Sequence, residues 1–164
     1  MPDYKTIAND GALDHYESDL KKRGVFEIGM DFEGEFNVHE YGERLCLIQV
    51  FDGTDAVIID PFGLSGERLT SFLENRNILK IMYDAMGDQS LVSKQFGAKI
   101  LSIQDLKPAV EILGLEKQDL GSVLQSRLQV EVLNKRRYQM YNWTTRPVAP
   151  DALAYALSDV LHLY

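Results

Sequence analysis

Apolar positions recur along the chain in short runs punctuated by glycine and proline, and the period of those runs changes part-way along it. From about Asp10 to Arg23 the pattern is amphipathic and stops at Gly24, which predicts a helix closed by a residue free to turn left-handed. Three runs rich in β-branched and aromatic residues follow, "VFEIGMDFE" (25–33), "RLCLIQVFD" (44–52) and "DAVIIDPF" (55–62), and predict strands. The last two are joined by the turn signal "DGTD", and the short connections require antiparallel pairing, because a parallel crossover takes about a dozen residues or more. After Gly66 the texture alternates: "GERLTSFLENRN" as helix, "ILKIMYDA" as strand, "GDQSLVSKQFG" as helix ending in Gly97, "AKILSIQD" as strand. The remainder reads as helices, "DLKPAVEILGL", "DLGSVLQSRLQV" and, beyond a Thr- and Pro-rich loop, 150–164. This order predicts an α/β fold: a mixed five-stranded sheet, an antiparallel three-strand meander plus two α-linked strands, covered by helices.

At 164 residues with 45% hydrophobic content, the chain suits one domain with one sizeable core over 1–164, with residues 1–24 as an N-terminal helical segment. No repeat or low-complexity linker divides it. A run of roughly eighteen uncharged apolar residues is missing, and "MPDYKTIANDG" lacks the basic-then-apolar build of a secretion signal, so the expectation is a cytoplasmic protein with no membrane association. The lone Cys46, inside "RLCLIQV", excludes an internal disulfide and reads as a small buried apolar side chain. Seventeen basic against twenty-five acidic residues leave a net charge of -8, which excludes a protein that coats long nucleic acid; a polyanion must be gripped locally. Two basic clusters offer such grips, Lys21, Lys22 and Arg23, and Lys135, Arg136 and Arg137, with function favoured for the second.

The stretch "IGMDFEGEF" (28–36) breaks the apolar rule by placing Asp31 and Glu33 two apart, hence on one face of a strand, with Met30 and Phe32 on the other. On a central strand two such charges repel by about 4 kcal/mol at ~4 Å with an effective dielectric of ~20, so either they are a hydrated edge or something compensates them. Asp88 begins a helix directly after a strand, the end at which α/β sheets place their sites, although a helix N-terminal acid is equally served there; Asp84 and Asp105 compete for the same role. Tyr155 and Asp159, four apart, share one helix face.

"MDFEGE", "YDAMGDQSLV" and "NWTTRPVAPDALAYALSDVLHLY" together resemble the three motifs of the DEDDy-type 3′-to-5′ exonucleases, in particular the ribonuclease D-like branch, over roughly 25–164. "RLCLIQV", "DPF" and the W-x-x-R-P turn add to the likeness. The resemblance implies a ribonuclease H-like fold. It also implies a catalytic set of Asp31, Glu33, Asp88, Tyr155 and Asp159, whose four carboxylates hold two divalent cations, Mg²⁺ or Mn²⁺, for phosphodiester hydrolysis. Four acids are formally balanced by two such cations, and all-oxygen ligation disfavours zinc. Tyr155, with an ordinary phenol pKa near ~10, is expected to orient the attacking water. His162 is set aside as structural, and His15 and His39 have no partner pattern.

The implied reaction is 3′-to-5′ exoribonuclease action releasing nucleoside 5′-monophosphates in RNA processing or turnover. The implied partner is nucleic acid with a free 3′ end, RNA ahead of DNA. Lys135 and Arg146 are candidate phosphate contacts and Phe36 a candidate base-stacking residue. Two departures stand out: the sequence runs only to Tyr164, so the helical C-terminal domains of ribonuclease D are not expected, and Asn142 precedes the tryptophan where an aspartate is usual. The alternatives are a DNA exonuclease with a repair or proofreading role and a non-cleaving scaffold of the same fold.

Overall fold

The first element is a strand, β1 (Tyr4–Ile7), where a helical segment was expected. Its partner lies some fifty residues away in β4 (Ala56–Ile59), in parallel register from Tyr4↔Ala56 to Ile7↔Ile59, and only Ile7 of its four residues is buried. A local apolar pattern cannot disclose such a strand. The computed structural model describes residues 3–130 and 135–163.

Helix α1 (Asp10–Arg23) has the bounds its sequence predicts. The Asn9 side chain accepts from the Ala12 N–H at its start, and Gly24 closes it at φ 69°, donating to the Leu20 and Lys21 carbonyls. Strands β2 (Glu27–Phe36), β3 (Glu43–Phe51) and β4 form the antiparallel meander. After a 3-10 turn (Pro61–Gly63) come α2 (Gly66–Leu73), β5 (Leu79–Met82), α3 (Met86–Phe96) and β6 (Ile103–Asp105). Strand β5 pairs parallel with β2, and β6 parallel with β5. The described residues thus form one mixed sheet of six strands in the order β1-β4-β3-β2-β5-β6, the expected five plus β1. Helices α4 (Lys107–Ile112), α5 (Leu120–Leu128), α6 (Lys135–Gln139) and α7 (Pro150–Ser158) complete the chain. Among the described residues no helix is long and apolar enough to cross a membrane.

The alternation along β2 sorts the two faces. Ile28, Met30 and Phe32 enter a core with Leu13, Tyr16 and Leu20 of α1, Phe72 and Leu73 of α2, and Leu91 and Val92 of α3. The opposite face is covered by α6 and α7, where Tyr138, Trp143, Ala152, Ala156 and Leu157 pack on Leu47 and Ile58. Asp31 and Glu33 belong to this second face. Helix α7 stops at Ser158, short of the expected 164, and the chain turns through Asp159 over the sheet. Gly29 makes that approach possible: a β-carbon there would lie 3.0 Å from the Val160 carbonyl oxygen. Gly29 shares a face with Asp31, so the missing side chain brings the residue before Val160, Asp159, down beside the carboxylates of β2.

Candidate active site

Asp31, Glu33 and Asp159 each offer a carboxylate oxygen within 4.8 Å of the others. Removal from water, followed by the charges of Asp159 and Asp88, pushes the Asp31 carboxyl well above the usual range. Glu33 is raised likewise by desolvation, then by Asp31, Asp159 and Asp88. Asp88, in the first turn of α3, lies outside the close trio yet near enough to repel both β2 acids; burial, with Asp84 and Asp105 adding to it, lifts it to about 7. Asp31, Glu33 and Asp159 thus form a tight group of carboxylates, with Asp88 close enough for its charge to act on both acids of β2.

Tyr155, on α7, faces the same acids. Desolvation and the charges of Asp159, Glu33 and Asp31 raise its phenol above its ordinary value, so it stays protonated at neutral pH. Its ring is stacked on Tyr138 of α6, centroids 4.7 Å apart and planes at 23°. Tyr138 is itself buried, and its hydroxyl donates to Asp151 Oδ2 at 3.1 Å. Asp31, Tyr155 and Asp159 line a cleft of about 460 Å³ whose far wall holds Tyr83, Asp84, Lys107 and the loop into α5. The Tyr83 hydroxyl donates to the Gln118 carbonyl and fastens that loop to the end of β5.

The donor set suits a hard divalent cation. All its donors are carboxylate oxygens, and no His or Cys joins the trio among the described residues. A further sign is Gln49, the register partner of Asp31 on β3, which is fully buried with neither amide atom hydrogen-bonded in the structure. Register partners carry their side chains on one face, so this polar amide lies beside the acids, in a centre organised around charge.

The two other acids at the β5 end have partners of their own. Asp105 accepts from the backbone N–H groups of Asp84, Ala85 and Lys107 at 2.9, 3.0 and 3.0 Å, a structural task. Asp84, left-handed at φ 59°, pairs with Lys107 at 2.5 Å.

The expected substrate contacts fare differently. Arg146 spends all five N–H donors internally, on Asp60 Oδ2 and Oδ1 and on the carbonyls of Trp143, Thr145 and Cys46, and lies over the Phe62 ring. It is a brace between the W-x-x-R-P loop and the sheet, with no donor left for a phosphate. Phe36 is half-exposed, with its ring against Gly34 beside Leu91 on the face away from the acids. Lys135 opens α6, and its side chain lies outside the described residues. In the first basic cluster, Arg23 is committed to Asp52 at 2.6 Å and Asp19 at 2.8 Å. Asn142 Oδ1 accepts from the Thr144 N–H and hydroxyl at 3.1 and 2.7 Å, an acceptor task that an aspartate would perform equally. His39 contacts the buried Glu35 at 3.2 Å, and Cys46 is buried with its thiol pushed up by desolvation. Sequence reasoning passed over Lys107 and Tyr138; an aromatic one helical turn past "NKR" and a lysine at a strand end were the only signals available.

Residues 4–164 match the 3′-5′ exonuclease family. The chain belongs to that family. This exonuclease domain is 29% identical to Exosome complex component 10 of Mus musculus over 152 residues, which span 90% of this chain and 16% of that protein. It is 28% identical over 167 residues to Ribonuclease D of Zymomonas mobilis, across 99% of this chain and 42% of the relative. Among solved structures it is similar to Escherichia coli RNase D, described as an exoribonuclease involved in structured RNA processing, with a TM-score of 0.83 at 24% identity over 97% of this chain and 42% of that one. The domain thus spans well under half the length of these relatives, and at that identity the structural likeness speaks for the fold.

Proposed function

We propose that this domain is a metal-dependent 3′-to-5′ exoribonuclease that releases nucleoside 5′-monophosphates. The observation that carries the reading is the trio Asp31, Glu33 and Asp159 within 4.8 Å, with Asp88 near it and the carboxyls of Asp31 and Glu33 raised by burial first and by neighbouring carboxylates second. Such a set is stable in its ionised form only with bound positive charge. Asp31, Glu33, Asp159 and Asp88 would hold the divalent cations, two by formal charge balance, with Mg²⁺ or Mn²⁺ favoured by the all-oxygen donors. When bound, the cations lower the pKa of coordinated water and stabilise negative charge at phosphorus.

The chain's own residues supply position. Tyr155, kept protonated by its surroundings, is a hydrogen-bond donor and acceptor fixed at the cleft by Tyr138, suited to orient a water in line with the scissile bond. A proton base at neutral pH it is not. Asp159 reaches the β2 acids because Gly29 admits the turn after α7. RNA is favoured over DNA by the relative named Ribonuclease D.

The test is a 5′-labelled single strand, RNA and DNA in parallel, incubated with Mg²⁺, Mn²⁺ or EDTA. RNA shortened stepwise from its 3′ end, with 5′-monophosphates released and EDTA abolishing the reaction, is the expected result. Preferential loss of DNA would replace the substrate assignment, and two intact strands with every metal would overturn the enzymatic one.

A further inference from the structure

We infer that Lys107 is a substrate-contacting residue, gripping a phosphate of the strand other than the scissile one by exchanging its Asp84 partner for it; the inference rests on the nuclease reading above. The cleft wall is strongly acidic: Asp31, Asp84, Asp119 and Asp159 all line it, in a chain of net charge -8. A polyanion entering a cleft lined by carboxylates is helped by a cation placed away from the scissile phosphate. Lys107 is the one cationic side chain among the described residues that line the cleft.

Lys107 differs from an ordinary surface lysine in how it is mounted. Its backbone N–H and that of Asp84 are both tied to the Asp105 carboxylate, at 3.0 and 2.9 Å, so one buttress sets the positions of both partners at the ends of β6 and β5. The partnership itself is weak. The side chains of Lys107 and Asp84 are 31% and 53% exposed, and in a pair that open to water, solvent screens most of the attraction. A phosphate oxygen can therefore displace Asp84 at little cost, while Asp105 keeps the lysine stem aimed from the wall. Lys107 lies apart from the close trio of carboxylates, which puts its reach on a neighbouring phosphate. Arg146, the weaker of the two basic candidates for such a contact in the sequence, has no donor to offer.

Binding of a fluorescent ten-nucleotide RNA, followed by anisotropy in Ca²⁺ at several salt concentrations with strand integrity checked on gels, tests this without requiring turnover. Lys107→Gln keeps the stem and removes the charge. It is expected to weaken binding roughly tenfold and to flatten the slope of log affinity against log salt by about 0.7, the share of one phosphate contact on a single strand. Lys107→Arg is expected to restore the slope. A Lys107→Gln protein with wild-type affinity and slope would overturn the inference, as would weaker binding with an unaltered slope, the mark of a merely structural lysine. Because affinity and slope are read independently of cleavage, failure of the nuclease reading shows separately, as a domain that binds RNA and never shortens it.

Discussion

Tyr138 and Tyr155 stack face to face, 4.7 Å between centroids, and this contact joins α6 to the residue that fronts the acids. Helix α6 is only five residues long, and a helix of that length holds its place by packing rather than by propensity. The stack and the Tyr138–Asp151 hydrogen bond thus fix the rotamer of Tyr155 from behind.

Tyr138→Leu is expected to lower kcat about two- to tenfold, the scale of a lost aromatic pair, with KM little altered. Tyr138→Phe keeps the stack and should retain most of that rate. Tyr155→Phe, which removes the hydroxyl itself, is expected to cost roughly a hundredfold in kcat. Steady-state kinetics on a short RNA read all three. Equal effects of Tyr138→Leu and Tyr138→Phe would show that the hydrogen bond to Asp151, not the stack, sets the position.

Removing a charge from the carboxylate set should stabilise the metal-free domain while disabling it. Asp31→Asn removes one of the charges that, after burial itself, hold the carboxyls of Asp31 and Glu33 above their usual range. In EDTA its melting temperature is expected to exceed that of wild type, by an amount equivalent to about 1–2 kcal/mol. Added Mg²⁺ or Mn²⁺ should raise the wild-type melting temperature and leave Asp31→Asn nearly unmoved. Thermal melts with and without metal check both statements.

Arg146 answers to stability rather than to substrate. Arg146→Met leaves the part-buried Asp60 carboxylate and the Cys46 carbonyl without their partner, and is expected to cost about 2–3 kcal/mol in urea unfolding. The KM of the folded variant should stay near wild type. A large rise in KM with normal stability would reinstate Arg146 as a phosphate contact.

Lys80 supplies a pH signature far from the cleft. It is fully buried on β5, its amine donating to the carbonyls of Asn75 at 2.5 Å and Leu101 at 3.0 Å, and burial pushes its pKa down to about 8. The folded state therefore binds fewer protons than the unfolded one between about pH 8 and the ordinary value of 10.5, so this group's contribution grows as pH rises through that window. Wild type should gain about 1–2 kcal/mol on Lys80→Met between pH 7.5 and 10, measured by urea unfolding. A pH-independent gap would mean that Lys80 titrates normally.

Much of this molecule was legible because its signals are local. Asn9 and Gly24 mark the ends of α1 within the chain itself, and the two-residue period of "GMDFE" puts Asp31 and Glu33 on one face whatever surrounds them. The motifs whose resemblance to a known family singled out Asp88, Tyr155 and Asp159 likewise lie along the chain itself. What escaped depends on distant partners. Strand β1 exists because β4 accepts it, and Asp159 reaches β2 not by riding a long helix but because α7 ends early over Gly29. A loop-fixing role for Arg146 was readable from the W-x-x-R-P turn, but its partners, Asp60 and the Cys46 carbonyl, were not, because they lie 86 and 100 residues earlier. Lys107 had only its place at a strand end as a local mark; its meaning comes from Asp84 and Asp105, brought together by parallel pairing of β5 and β6.

The most direct measurement places 5′-labelled single-stranded RNA with wild type and Asp31→Asn side by side, in Mn²⁺ and in EDTA, and resolves the products nucleotide by nucleotide. The expected result is a ladder descending from the 3′ end for wild type in Mn²⁺ alone, with the Asp31→Asn lane at least a hundredfold slower, by roughly the scale of a lost electrostatic group in a catalytic centre. A ladder of wild-type rate from Asp31→Asn, or one that persists in EDTA, would contradict the assignment of these carboxylates as the metal-holding centre.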